Sequence, residues 1–149
     1  MRLANTQRLE MNDQEPFGLA LGAVSMVPAL ANRTVKLVRR IVKRADQAKS
    51  NYNDCKYLAH AVGSVSHALL YISDHTPGTE PLQRALYDLN NVLSVCLKFL
   101  EKFSTLNGIE NFIYARRYQR QISELYAALD ENKSRVLFGM VAGIFTRMR

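Results

Sequence analysis

Between a small number of Gly, Pro and Asn breaks, the apolar residues of this chain recur every three or four positions through four successive blocks, and in no block do they alternate as a half-buried strand requires. From Leu30 to Ala48 the apolar set is Leu30, Leu37, Val38, Ile41, Val42 and Ala45, with Arg33, Lys36, Arg39, Arg40, Lys43 and Arg44 on the remaining arc. From Tyr52 to Ile72 the stripe is Cys55, Leu58, Ala59, Val62, Val65, Leu69 and Ile72, and from Leu82 to Phe103 it is Leu82, Ala85, Leu86, Leu89, Val92, Leu93, Cys96, Phe99, Leu100 and Phe103. The last block, Ile109 to Leu129, places Phe112, Ala115, Tyr118, Ile122, Leu125, Tyr126 and Leu129 inside, with Arg116, Arg117 and Arg120 outside. The breaks support this division. Thr79 stands as an N-cap with Pro81 in the following first turn, Asn107-Gly108 ends another block, and Ser50 is placed to cap the block after Lys49.

Four amphipathic helices, each about 30 Å long at 1.5 Å per residue, bury their single apolar faces against one another. The expected fold class is therefore all-α, an antiparallel four-helix bundle. It carries an extra N-terminal apolar helix at 17–27 and a short C-terminal apolar segment. The domain division is a leader at 1–16, the bundle with its apolar helix at 17–131, and an apolar and basic tail at 132–149.

Two blocks lie outside the four stripes. Phe17 to Val27 is apolar almost all round and aligns Gly18 and Gly22, while Val136 to Phe145 does the same with Gly139 and Gly143. The G-x-x-x-G spacing lets helix backbones approach closely. It suits either packing in a bilayer or capping of the bundle's ends. The uncharged run Phe17 to Asn32 is shorter than the roughly twenty residues of a membrane span and contains Pro28. Glu10, Asp13 and Glu15, with no apolar h-region, argue against a secretory signal.

The charge narrows the partners. Lys and Arg number 20 against 13 acids, a formal +7, which favours phospholipid headgroups, nucleic acid or an acidic protein face. No nucleic-acid reading motif accompanies the basic residues, whereas the cationic helix adjoins an uncharged apolar block. An anionic membrane therefore fits better than nucleic acid. Chemistry is sparse. His60 and His67 lie seven residues apart, about 10 Å along a helix, too far to share a metal. Cys55 and Cys96 sit on apolar stripes and read as reduced, inert thiols of a cytosolic protein. No phosphate-binding loop or dinucleotide fingerprint occurs, so neither an enzyme nor a cofactor is expected.

Glu15-Pro16-Phe17-Gly18-Leu19-Ala20-Leu21-Gly22-Ala23-Val24 resembles the N-terminal motif, Met-Ala-Glu-Pro followed by an apolar Leu-Gly-Ala-Val helix, of plant immune-receptor (NLR) coiled-coil domains of the non-flowering-plant type. Mildew-resistance-type domains begin with a similar helix. Asn53 to Ala59 and Leu82 to Leu129 look like the four-helix bundle shared by those receptors, fungal HeLo-type proteins and the mixed-lineage-kinase-like necroptosis executioner. Here Asp13-Gln14 stands where the family has Met-Ala, and the acidic third-helix motif of flowering-plant receptors is missing.

The resemblance implies a cell-death domain that oligomerises, inserts its N-terminal helix into the plasma membrane and passes cations. The inserting residues would be Phe17, Leu19, Leu21, Val24, Met26 and Val27, packed through Gly18 and Gly22, with Asp13 and Glu15 as the acidic residues of the pore. The basic residues of the first and last helices would bind anionic lipid. Partners would be further copies of the chain, the membrane, and the remaining receptor domains if the chain is a fragment. The protein would be cytoplasmic and peripheral to the plasma membrane until inserted. The competing expectation is a helical adaptor that docks a partner or an acidic surface through its basic face.

Overall fold

The structure, a computed structural model, describes residues 26–72 and 78–148. They form four helices, α1 (Val27–Asp46), α2 (Tyr52–Leu69), α3 (Glu80–Phe103) and α4 (Gly108–Met148), and no strand occurs among them. The expected N-terminal helix, including Asp13, Glu15, Phe17, Gly18, Leu19, Leu21, Gly22 and Val24, lies outside the described residues.

Helix α1 packs on α2 and α3, α4 also packs on α2 and α3, and α1 and α4 do not touch among the described residues. Around the core the order is therefore α1, α2, α4, α3, so α2 and α3, consecutive in sequence, stand at opposite corners. Leu30, Ile41, Leu58, Leu86, Leu93 and Leu129 are among the fully buried side chains. Each contributes about 1.5 to 3 kcal/mol by leaving water. The stripes of the first three helices are buried as the periodicity requires, apart from Leu37, Val42, Ile72 and Phe99 at the margins.

Local signals set the helix ends. Thr79 is the N-cap of α3, its hydroxyl accepting from Leu82 N at 3.4 Å, with Pro81 in the first turn as expected. Asn107 and Glu110 form a reciprocal box at the start of α4. The Asn107 side chain accepts from Glu110 N at 2.8 Å, and the Glu110 carboxylate accepts from Asn107 N at 3.3 Å. Ser50 does not cap α2; its hydroxyl donates to Leu106 O. The N-cap is Asn51, held at φ 56°, a left-handed conformation that Asn adopts more readily than other residues bearing a Cβ, and its side chain makes no capping bond within α2. Its amide donates to Phe103 O at 2.9 Å and to Asn111 Oδ1 at 2.8 Å, tying the α1–α2 joint to the α3–α4 joint.

Three expectations from the sequence change. Val27 is the first residue of α1 and wholly buried, with Met26 half-buried beside it, so the described part of the apolar block belongs to the bundle. Second, α4 runs unbroken for 41 residues and includes what the sequence set apart as a tail. The reason is a seam of alternating four- and three-residue steps, Tyr118, Ile122, Leu125, Leu129, Asn132, Val136, Gly139, Gly143, all buried. Third, Phe112 and Ala115 are exposed, Phe112 by 87 %. Tyr118 packs on Phe103 near one end of α3, and Gly139 lies against Leu82 near the other. At 1.5 Å per residue α4 spans about 60 Å against about 36 Å for α3, so its ends outrun their cover.

A polar layer crosses the core. Thr34 donates to Leu30 O at 2.8 Å, and Asn90 donates to Thr34 Oγ1 at 2.6 Å and Leu86 O at 2.9 Å, which links α1 to α3. Asn91 Nδ2 and Asn132 Oδ1 are buried without hydrogen bonds.

Candidate functional site

The basic face of α1 follows from what the helix buries. Leu30, Thr34, Val38, Ile41 and Ala45 turn inward, which leaves Arg33, Lys36, Arg39, Arg40 and Lys43 exposed and Arg44 half-buried. No acidic residue stands on α1 ahead of Asp46, and Asp46 pairs with Lys56 of α2. That hydrogen bond is the main cause raising the Lys56 pKa. Lys43 and Arg44 occupy the last turn of α1, where the helix dipole favours cations. The result is one continuous cationic surface. It begins less than two turns beyond Val27, at the junction with the apolar N-terminal block.

Arg116, Arg117 and Arg120 are exposed as expected, but they do not extend this surface. They lie on α4, which makes no contact with α1. Their neighbours are Ile109, 73 % exposed, and Ile113, 62 % exposed. A second exposed apolar group, Leu137, Phe138, Val141, Ile144 and Phe145, occupies the far end of the same helix. The periodicity reading missed both because it placed Phe112 inside and ended this helix at Leu129, setting Val136 to Phe145 apart as an apolar tail. Following the seam past Leu129 to Gly143 would have revealed the helix, though not its overhang.

The remaining candidates offer little chemistry. His60 and His67 are exposed on the outer face of α2. Burial pushes the Cys96 thiol up to about 12, and burial with the nearby Asp54 charge pushes Cys55 up to about 11. Both thiols are protonated at neutral pH and therefore poor nucleophiles. Among the described residues no group of three His, Cys, Asp or Glu side chains could hold a metal. A groove of about 740 Å³ between α3 and α4 is lined in part by Arg84, Asp88, Glu131 and Arg135. Arg135 reaches Asp88 at 3.6 Å and also bonds Glu131, while Arg84 bonds Glu80 at 3.1 Å. These charges satisfy one another. Burial raises the Asp88 pKa, with Arg135 and Arg84 opposing the rise.

No helix among the described residues is long and apolar enough to cross a membrane. Compared with known protein families, curated proteins and solved structures, the chain matches none.

Proposed function

We propose that this chain is a non-enzymatic, membrane-active helical bundle of the cell-death type implied by its resemblance to plant immune-receptor coiled-coil domains. In this reading α1 pairs antiparallel with α2, and α3 with α4. The cationic face of α1 meets anionic lipid at the plasma membrane, and the chain then self-associates and inserts its apolar N-terminal block. The observation that carries the proposal is the exposed basic face of α1, without an acid before Asp46, joined directly to an uncharged segment.

Self-association is a geometric requirement of the reading. Eleven residues from Phe17 to Val27 reach only about 16 Å as a helix, against a hydrocarbon core of about 30 Å. Several copies packed through Gly18 and Gly22 would line a pore, with Asp13 and Glu15 forming an acidic, cation-favouring mouth. Further receptor domains are the natural partners if the chain is part of a longer protein.

The test is flotation and dye release with vesicles of neutral and of anionic composition. Arg40→Glu with Lys43→Glu removes about 1 kcal/mol of attraction per residue and adds repulsion, so binding to anionic vesicles should fall by about thirtyfold or more. Leu19→Glu with Leu21→Glu should bind but not leak, since each acid costs about 2.5 to 3.5 kcal/mol at mid-bilayer on insertion scales. Equal binding to neutral vesicles, or leakage by the second variant, would overturn the proposal. A helical adaptor that never enters the bilayer is the second reading, favoured by Val27 being locked in the core. It expects binding without leakage by the unaltered protein.

A further inference from the structure

The outward face of α4 has a charge order that is complementary to itself when reversed. Opposite its buried seam, the helix presents a basic block, Arg116, Arg117 and Arg120, followed by an acidic block, Glu124, Asp130 and Glu131, every one exposed. The blocks carry three charges each, of opposite sign, and Glu131 of the acidic block shares its charge with Arg135 one turn along the same helix, which leaves Glu124 and Asp130 as the acids most open to a second copy. Apolar residues flank them, Ile109 and Ile113 before the basic block and Leu137 and Phe138, 69 % exposed, after the acidic one.

We propose that this face binds the same face of a second copy, the two α4 helices running antiparallel about a two-fold axis near Ser123 and Glu124. In that register Arg116 lies level with the second copy's Glu131 and Arg117 with its Asp130. Arg120 lies one turn from its Glu124, and Ile109 meets its Phe138. Two-fold symmetry repeats each pairing, as an isologous contact must. Sliding by one heptad toward better apolar overlap sets Glu124 level with Asp130 and Arg117 with Leu137, so charge fixes the register. The contact extends over about 30 residues, or about 45 Å. An anionic membrane is a poorer occupant, because the acidic block would face the headgroups.

The pairing supplies the interface for the self-association step of the proposed function and rests on that reading for its purpose only. Helix α1 stands at the corner opposite α4, so both cationic faces stay open in the pair.

The test needs no membrane: sedimentation velocity of the purified full chain across micromolar concentrations. The unaltered protein should form a species of twice 16.9 kDa that dissociates with added salt. Arg116→Glu with Arg117→Glu should weaken the dimer roughly a hundredfold, as should Asp130→Arg with Glu131→Arg. Mixing the two variants should restore a dimer, because the altered basic block of one meets the altered acidic block of the other. All four substitutions in one chain should restore self-pairing. The substituted side chains are exposed, and the two rescue experiments also control for folding. A monomer at all concentrations, a dimer indifferent to both reversals, or failure of the mixed pair would overturn the α4 interface. Vesicle binding that is lost in the α4 variants of a monomeric protein would assign the face to lipid and overturn it too. Failure on these counts leaves the lipid-binding role of α1 standing, since that is read by flotation.

Discussion

Gly139 gives the sharpest test of how α4 is held. A Cβ at this position would lie 2.8 Å from Leu82 Cα, 3.0 Å from Leu82 N and 3.1 Å from Leu82 Cβ. Two of these atoms are backbone, so no rotamer change relieves the clash. α3 must withdraw by about 0.6 Å to regain ordinary contact. Leu82 N also donates to the Thr79 hydroxyl, so the displacement strains the N-cap of α3 as well. Overpacking of this kind costs about 1 to 3 kcal/mol, while replacing a helical Gly by Ala returns about 1 kcal/mol. Gly139→Ala should therefore destabilise the protein by about 1 kcal/mol net. Gly63, on α2, has nothing within 4 Å of its would-be Cβ, so Gly63→Ala keeps only the propensity gain and should stabilise by about 1 kcal/mol. The two variants should differ by about 2 kcal/mol in urea unfolding, which is about 4 to 8 °C in Tm for a chain of this size. Equal stability would refute the close approach of α3 and α4. It would then favour the alternative in which Gly139 and Gly143 serve packing in a bilayer.

Three further outcomes follow from the geometry. Asn51→Ala should lose about 2 to 3 kcal/mol, from two hydrogen bonds and a left-handed φ that Ala resists, whereas Asn51→Gly keeps the φ and should lose about 1 kcal/mol less; thermal unfolding with Ala the milder change would refute this. Cys96 keeps its proton in the fold from the ordinary 9.0 up to about 12, while the unfolded chain releases it, so this stabilisation is complete below pH 9 and is lost as pH rises toward 12. Across that window the unaltered protein should lose about 1.4 kcal/mol per pH unit relative to Cys96→Ala, and parallel urea-stability curves for the two would count against it. Asn132→Leu removes an unpaired buried carbonyl oxygen from the α4 seam at the cost of the amide's hydrogen bond to Ala128 O at 2.7 Å, and should stabilise by about 1 kcal/mol net in urea unfolding; a loss of stability would mean that oxygen is satisfied in solution.

Local pattern determined most of the secondary structure. The 3.6-residue stripes, Thr79 with Pro81 and the Asn107 box act within one or two helical turns, so they are legible without knowing what lies across the core. The basic face of α1 was legible for the same reason, because a helix that buries Leu30, Val38 and Ile41 must turn Arg33, Arg40 and Lys43 outward. What the tertiary structure decided is which helix covers which. It set α1 and α4 at opposite corners, separating two basic groups that the sequence had merged, and it left Phe112 in solvent on a stripe that should have been buried. It also buried Thr34, Asn90, Asn91 and Asn132, polar residues that no periodicity marks as core. Burial is a property of the opposing surface: α4 is longer than α3, and a stripe is sheltered only as far as its partner reaches.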